Sequence, residues 1–180
     1  MKFLSQAAVL LLATGVYSRA VEQRDLATVT GVLTQVQTGI DTLDAAVKAF
    51  NGDPAPVKDK SDALVATINT GTTTVQGSTP LTVQDTIALF NAVNELKAHA
   101  QTLSDDLLAR RADVAAAKQC DVTRNQIGQI NTASQGLITA IVDKVPPEGK
   151  AIAQQQAQGI IDVLTEAQAN FASDKCQNAA

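Results

Sequence analysis

Few residues in this chain could do covalent or acid–base chemistry. It has one histidine, His99, two cysteines, Cys120 and Cys176, and no tryptophan. Close carboxylates occur at Asp41 and Asp44, three apart on one helical face, and at Asp105-Asp106. Such pairs can bind a divalent cation or share acid–base work. A metal site built on two or three imidazoles needs more than one histidine, and a nucleophile–base pair needs a serine or cysteine pattern to accompany His99. The sequence supplies neither, so His99 reads as a surface or half-buried imidazole and the aspartates as solvated charge. No catalytic residue, metal ligand or cofactor is assigned, and the chain reads as a non-enzyme.

Charge and aromatic content remove further classes. Lys+Arg 14 against Asp+Glu 18 gives a net charge of −4, the wrong sign for neutralising phosphates. Arg110-Arg111 is too short a run to form a basic patch. Aromatic residues make up 3% of the chain, too few for base-stacking platforms. No nucleic-acid partner is expected. A mean hydropathy of +0.03 is too high for a disordered chain.

The cysteines acquire a meaning from the first twenty residues. Met1-Lys2 is a short basic start, Phe3 to Val16 is mostly apolar, and Ser18-Arg19-Ala20 places small residues at a cleavage site. This order reads as a secretory signal peptide over residues 1–20, cleaved after Ala20, with Ser18 as the alternative. The apolar run is too short to span a bilayer, and no transmembrane segment follows. Neither a hydrophobic C-terminal tail nor an Asn-x-Ser/Thr sequon is present, so a soluble, secreted product without a lipid anchor is expected. An oxidising compartment favours a Cys120–Cys176 disulfide, with roughly 4 kcal/mol of loop-closure stabilisation. Two free thiols or an intermolecular bridge are the alternative.

The rest of the chain, residues 21–180, is expected to form one domain of helical stripes. The first stripe is Leu26, Val29, Leu33, Val36, Ile40, Leu43, Val47 and Phe50, in steps of three and four. Asp25 is placed to cap it, and Asn51-Gly52 and Pro54 to end it. The second is weaker: Val57, Leu64, Ile68 and Val75, with Asn69-Thr70-Gly71-Thr72-Thr73-Thr74 inside it. β-Branched residues and glycine lower helix stability, so a short helix with a frayed end is expected, and residues 57–76 are the candidate gate. The third starts at a capping box, Thr82-Val83-Gln84-Asp85, and runs through Val83, Ile87, Phe90, Val93, Leu96, Ala100, Leu103, Leu107 and Val114. With no glycine or proline inside, it reads as one long helix; the alternative is a break at Ser104-Asp105-Asp106, which offers a second N-cap. The fourth carries Val122, Ile127, Ile130, Ser134, Leu137, Ile141 and Val145, and stops at Pro146-Pro147. The fifth carries Ile152, Gln156, Ile160, Val163, Leu164, Ala167 and Phe171. No segment alternates apolar and polar at strand length. The fold class is all-α, an up-and-down bundle of about five amphipathic helices.

Two features bear on what the bundle interior could hold. Gly31, Gly39, Gly128, Gly136 and Gly159 lie inside helical runs, where each costs about 1 kcal/mol against alanine. Either they allow close helix packing, or they leave volume for a ligand between aliphatic walls suited to an acyl chain. Ser134 and Gln156 sit on otherwise apolar stripes, where each can bond a carboxylate head group, a backbone carbonyl or water.

Ile40-Asp41-Thr42-Leu43-Asp44-Ala45-Ala46-Val47-Lys48-Ala49-Phe50-Asn51-Gly52 and Ile141-Val142-Asp143-Lys144-Val145-Pro146 close the first and fourth helices. In these segments, and in the order of its elements, the chain resembles the fungal hydrophobic surface-binding protein A family, which includes antigenic cell-wall galactomannoproteins. The resemblance implies an all-helical secreted protein, wall-associated or released, that binds hydrophobic surfaces or holds fatty acids in the bundle. The wall-attached members carry a Ser/Thr-rich stalk and an anchor signal that do not appear here, which favours a released form.

The leading expectation is therefore a non-enzymatic binder of a fatty acid or other amphipathic lipid, able also to adsorb to hydrophobic surfaces. The expected cavity wall is Val36, Ile40, Leu43, Val47, Phe50, Leu64, Ile68, Ile87, Phe90, Val93, Leu96, Leu103, Leu107, Ile127, Ile130, Ser134, Leu137, Ile141, Gln156, Ile160, Val163, Leu164 and Phe171. The alternative is a helical interaction module that inhibits or recruits a secreted hydrolase.

Overall fold

A computed structural model describes residues 15–179, with side chains from residue 25 onward. Most of the expected signal peptide, residues 1–20, lies outside the described residues. Six helices follow one another: α1 Gly15–Lys48, α2 Ala55–Gln76, α3 Val83–Ala109, the short α4 Arg111–Ala116, α5 Cys120–Lys144 and α6 Pro147–Asn170. No strand occurs among the described residues.

Several boundaries follow from the local chemistry. Gly52 takes φ +104°, which a side chain would strain, and Pro54 N-caps α2. Thr82 and Asp85 form the expected capping box: the Thr82 hydroxyl accepts from Asp85 N at 3.1 Å, and the Asp85 carboxylate accepts from Thr82 N at 2.9 Å. Pro146 and Pro147 separate α5 from α6.

Three local expectations are corrected. Asp25 does not cap α1, which already runs through it from Gly15; its buried carboxylate instead accepts from the backbone N–H and hydroxyl of Thr79. The helix α2 is not frayed. It continues unbroken to Gln76, the hydroxyls of Thr72, Thr73 and Thr74 each donate to the carbonyl four residues back, and Gly71 and Val75 are buried. The third helix is not one long rod: it ends at Ala109, and α4 follows after Arg110. There the Arg110 guanidinium donates to the Lys48 carbonyl at 2.5 Å, and the turn delivers Val114 to a small cluster with Cys120, Phe171 and Cys176.

The five long helices form a ring. α1 packs against α2 and α3, α2 also against α5, α5 against α6, and α6 against α3, which closes the circuit. Successive long helices alternate in direction, as expected of an up-and-down chain. Two connections nevertheless pass over an intervening helix, which makes some ring neighbours parallel. The loop after α2 crosses the Asp25 end of α1 to reach α3, tied by Thr79 to Asp25 and by Leu81 N to the Lys144 carbonyl at 2.7 Å. At the opposite end α4 crosses α6, with Arg111 donating to the Asn170 carbonyl at 3.2 Å. A ring of five cannot bring all its apolar stripes into mutual contact, and its axis is left partly unfilled.

Cys120 and Cys176 are disulfide-bonded, with Cα atoms 5.5 Å apart, and no free cysteine is present. The bond joins the start of α5 to the tail beyond α6. Arg124 reinforces it by donating to the Phe171 carbonyl at 2.7 Å and the Cys176 carbonyl at 3.4 Å.

Candidate functional site

The axis of the ring holds an elongated cavity of about 180 Å³, walled by all five long helices. Cavities of roughly 150 Å³ with purely aliphatic and aromatic walls stay dry and take up benzene. The α1 wall is Leu33, Val36, Ile40, Leu43, Val47 and Phe50, and the other helices contribute similar stripes. All but two of the residues expected from the sequence line it.

The exceptions are Ile87 and Phe171. Ile87 is 58% exposed, because the first turns of α3 face inward through Thr86 and Leu89, one position before Ile87 and Phe90; from Phe90 onward the expected stripe lines the wall. Phe171 is 1% exposed but lies in the cluster around the disulfide, capping the bundle end. The glycines do not make the cavity. A Cβ at Gly39 would come within 2.9 Å of Leu64, and Gly31 and Gly136 face open space. The interior volume comes from the helix ring.

The polar lining is sparse. Ser134 and Gln156 line the wall as expected, on α5 and α6. A second polar group was not foreseen. Ser61, 2% exposed, donates to the Gln126 side-chain Oε1 at 2.8 Å, and the Gln126 Nε2 donates to Asp62 at 3.1 Å. Asp62 pairs with Lys58 at 2.5 Å. The Lys58 ammonium, and secondarily the Gln126 amide, hold the Asp62 carboxyl below its usual range. A spacing signal existed for Ser61, three residues before Leu64 on the inward stripe. None existed for Gln126, whose contact is 65 residues distant in sequence.

His99 is not alone. Its Nδ1 lies 2.5 Å from Asp41 and its Nε2 lies 3.0 Å from the Gln37 amide nitrogen, across the α1–α3 seam. With that amide donating, Nε2 accepts and Nδ1 carries the proton to Asp41. None of the three lines the cavity, and among the described residues no hydroxyl or thiol hydrogen-bonds to the His99 ring. Among the described residues no group of three or more His, Cys, Asp or Glu could hold a metal ion, and no helix is long and apolar enough to cross a membrane.

Residues 26–143 match the family described as hydrophobic surface binding protein A. The chain belongs to that family. Within the wider set of relatives it is 32% identical to cell wall mannoprotein 1 of Aspergillus flavus over 132 residues, 73% of this chain and 48% of that protein. The corresponding Aspergillus fumigatus protein is 34% identical over 131 residues, 72% of this chain and 46% of that one. The chain thus spans about half the length of these curated relatives. Two solved structures share the fold of this family member. Ligand binding domain 2 of the Penicillium marneffei MP1 protein, complexed with multiple arachidonic acids, superposes with a TM-score of 0.78 at 20% identity, covering 81% of this chain and 95% of that one. AFMP4P in complex with palmitic acid superposes at 0.76 and 22% identity, covering 82% of this chain and 99% of that one.

Proposed function

We propose that this protein takes up fatty acids, or other single-chain amphipathic lipids, into the axis of its helix ring, and that it acts as a binder and not as a catalyst. The observation that carries the reading is the aliphatic cavity of about 180 Å³ walled by five helices. The domains that share this fold and were captured with arachidonic or palmitic acid support it. Burial of an acyl chain supplies about 0.8 kcal/mol per methylene, against which association entropy and micelle formation compete. A sixteen-carbon chain needs more room than benzene, so its uptake pushes the helices outward; a ring held by side-chain packing and loops allows this.

Adsorption to hydrophobic surfaces is a second mode, supported by family membership and by the exposed apolar side chains Val83, Ile87, Val122 and Ile152. The mannoprotein relatives support an extracellular or cell-wall location, with residues 1–20 as the export signal. A secreted-hydrolase partner finds no support in the cavity or in the relatives.

Native mass spectrometry of the secreted protein tests the uptake mode. The expected result is a bound mass of a few hundred daltons that disappears on organic extraction and returns with palmitate. An extracted protein that stays ligand-free in excess palmitate contradicts it.

A further inference from the structure

The cavity wall has a charge asymmetry that the chain as a whole does not predict. Acids outnumber bases in the sequence, 18 to 14. Yet among the described residues the only charged side chains in the wall are two cations, Lys58 and Arg110, and no carboxylate lines it. Both cations lie at one end of the bundle. Lys58 is in the first turns of α2, and Arg110 follows the last turn of α3. The polar wall residues Ser61, Ser104, Gln119, Thr123 and Gln126 lie towards that end too.

The two ends differ in closure. At the far end the loop after α2 is folded across the ring, with Lys144 donating to the Gln76 carbonyl at 2.8 Å and the Ser78 carbonyl at 2.6 Å. At the near end, which the Phe171–disulfide cluster closes only in part, the wall residues Lys58 and Val122 are exposed, whereas the far-end wall residues Phe90, Ile141, Val142 and Ala153 are half-buried. Lys58 gives one bond to Asp62, and Arg110 gives one to Asp113 and one to the Lys48 carbonyl. An ammonium carries three donors and a guanidinium five, so both retain donors for a ligand.

We propose that the near end is the mouth and that it selects anionic amphiphiles: the head group rests by Lys58 and the apolar tail runs towards Thr86 and Val145 at the closed end. This deepens the uptake reading and rests on it. The head group is recognised by charge-assisted hydrogen bonds, which a neutral hydroxyl cannot match in strength.

The test compares palmitate with hexadecanol, equal in chain length and different in head charge, on delipidated wild-type protein and on Lys58→Gln and Lys58→Glu. Lys58 is exposed, so neither variant disturbs the core, and helicity by circular dichroism checks this. Wild type is expected to prefer palmitate by about ten-fold, the scale of one charge-assisted contact. The preference should shrink in Lys58→Gln, vanish or invert in Lys58→Glu, and weaken in high salt. Equal affinity of wild type for both ligands, or the same preference in all three proteins, overturns the mouth assignment while leaving uptake intact. Binding of neither ligand overturns the uptake reading itself.

Discussion

Val32 rests on Gly71. A Cβ built on that glycine would lie 2.5 Å from Val32 Cγ1, a distance no side chain tolerates. The contact draws α1 and α2 together at the closed half of the ring, and Gly39 against Leu64 does the same further along. Gly71→Ala should therefore destabilise the fold by about 1–3 kcal/mol, because neither backbone can move without opening the seam. Gly136→Ala is the control. Nothing lies within 4 Å of its Cβ position, so it should stabilise by roughly 0.5–1 kcal/mol through helix propensity. Urea unfolding of both variants measures the pair, and equal destabilisation by the two would refute the packing account.

The disulfide closes a span of 56 residues, for which loop-closure entropy gives about 4 kcal/mol. Cys120→Ala/Cys176→Ala should lose most of that in chemical denaturation. It should also spread faster on a hydrophobic surface, because the start of α5 is then freed from the tail. Unchanged spreading would mean that surface adsorption does not proceed by opening the disulfide end.

Uptake and adsorption should separate by mutation. Leu43→Gln and Leu137→Gln place an amide in a cavity wall that is mainly aliphatic. Both should abolish palmitate uptake while keeping helicity. Ile87→Lys, on the exposed face of α3, should reduce adsorption to a hydrophobic surface and leave palmitate affinity unchanged. Loss of uptake in Ile87→Lys would place that residue in the cavity wall after all.

Asp62 and Asp106 have carboxyls held below the ordinary range, the first mainly by Lys58 and the second by Lys48. A carboxylate whose folded pKa is depressed adds stability above its unfolded pKa, and that increment is lost as pH falls through the folded value. Asp62→Asn and Asp106→Asn should thus be less stable than wild type at pH 7, with the gap closing as pH drops below about 4. Both pairs are solvent-exposed, so the effect should be small and fade in high salt. A gap that persists in acid would assign the loss to packing.

Much of this arrangement was legible in the sequence, because aliphatic residues at steps of three and four carry the inward face of α1, α5 and α6 directly. On α3 the same rule misled at Ile87: the inward face begins one position earlier, at Thr86 and Leu89, and packing against α1 and α6 decides which face turns in. The threonine-rich end of α2 looked weak because intrinsic propensity was the only visible term. Burial of Gly71 and Val75 against α1 outweighs it. The break at Arg110 has no glycine or proline to announce it, since it depends on a bond to the Lys48 carbonyl far away in sequence. The Asp41–His99 and Ser61–Gln126 contacts are likewise products of helix order around the ring, and sequence periodicity contains no helix order.

The most direct test of the central claim locates the tail of a bound lipid. Crystals of the delipidated protein grown with ω-bromohexadecanoate should give a bromine anomalous peak on the ring axis, enclosed by α1, α2, α3, α5 and α6. Under saturating conditions, a peak on the outer face of the bundle, or none within the ring, would contradict it.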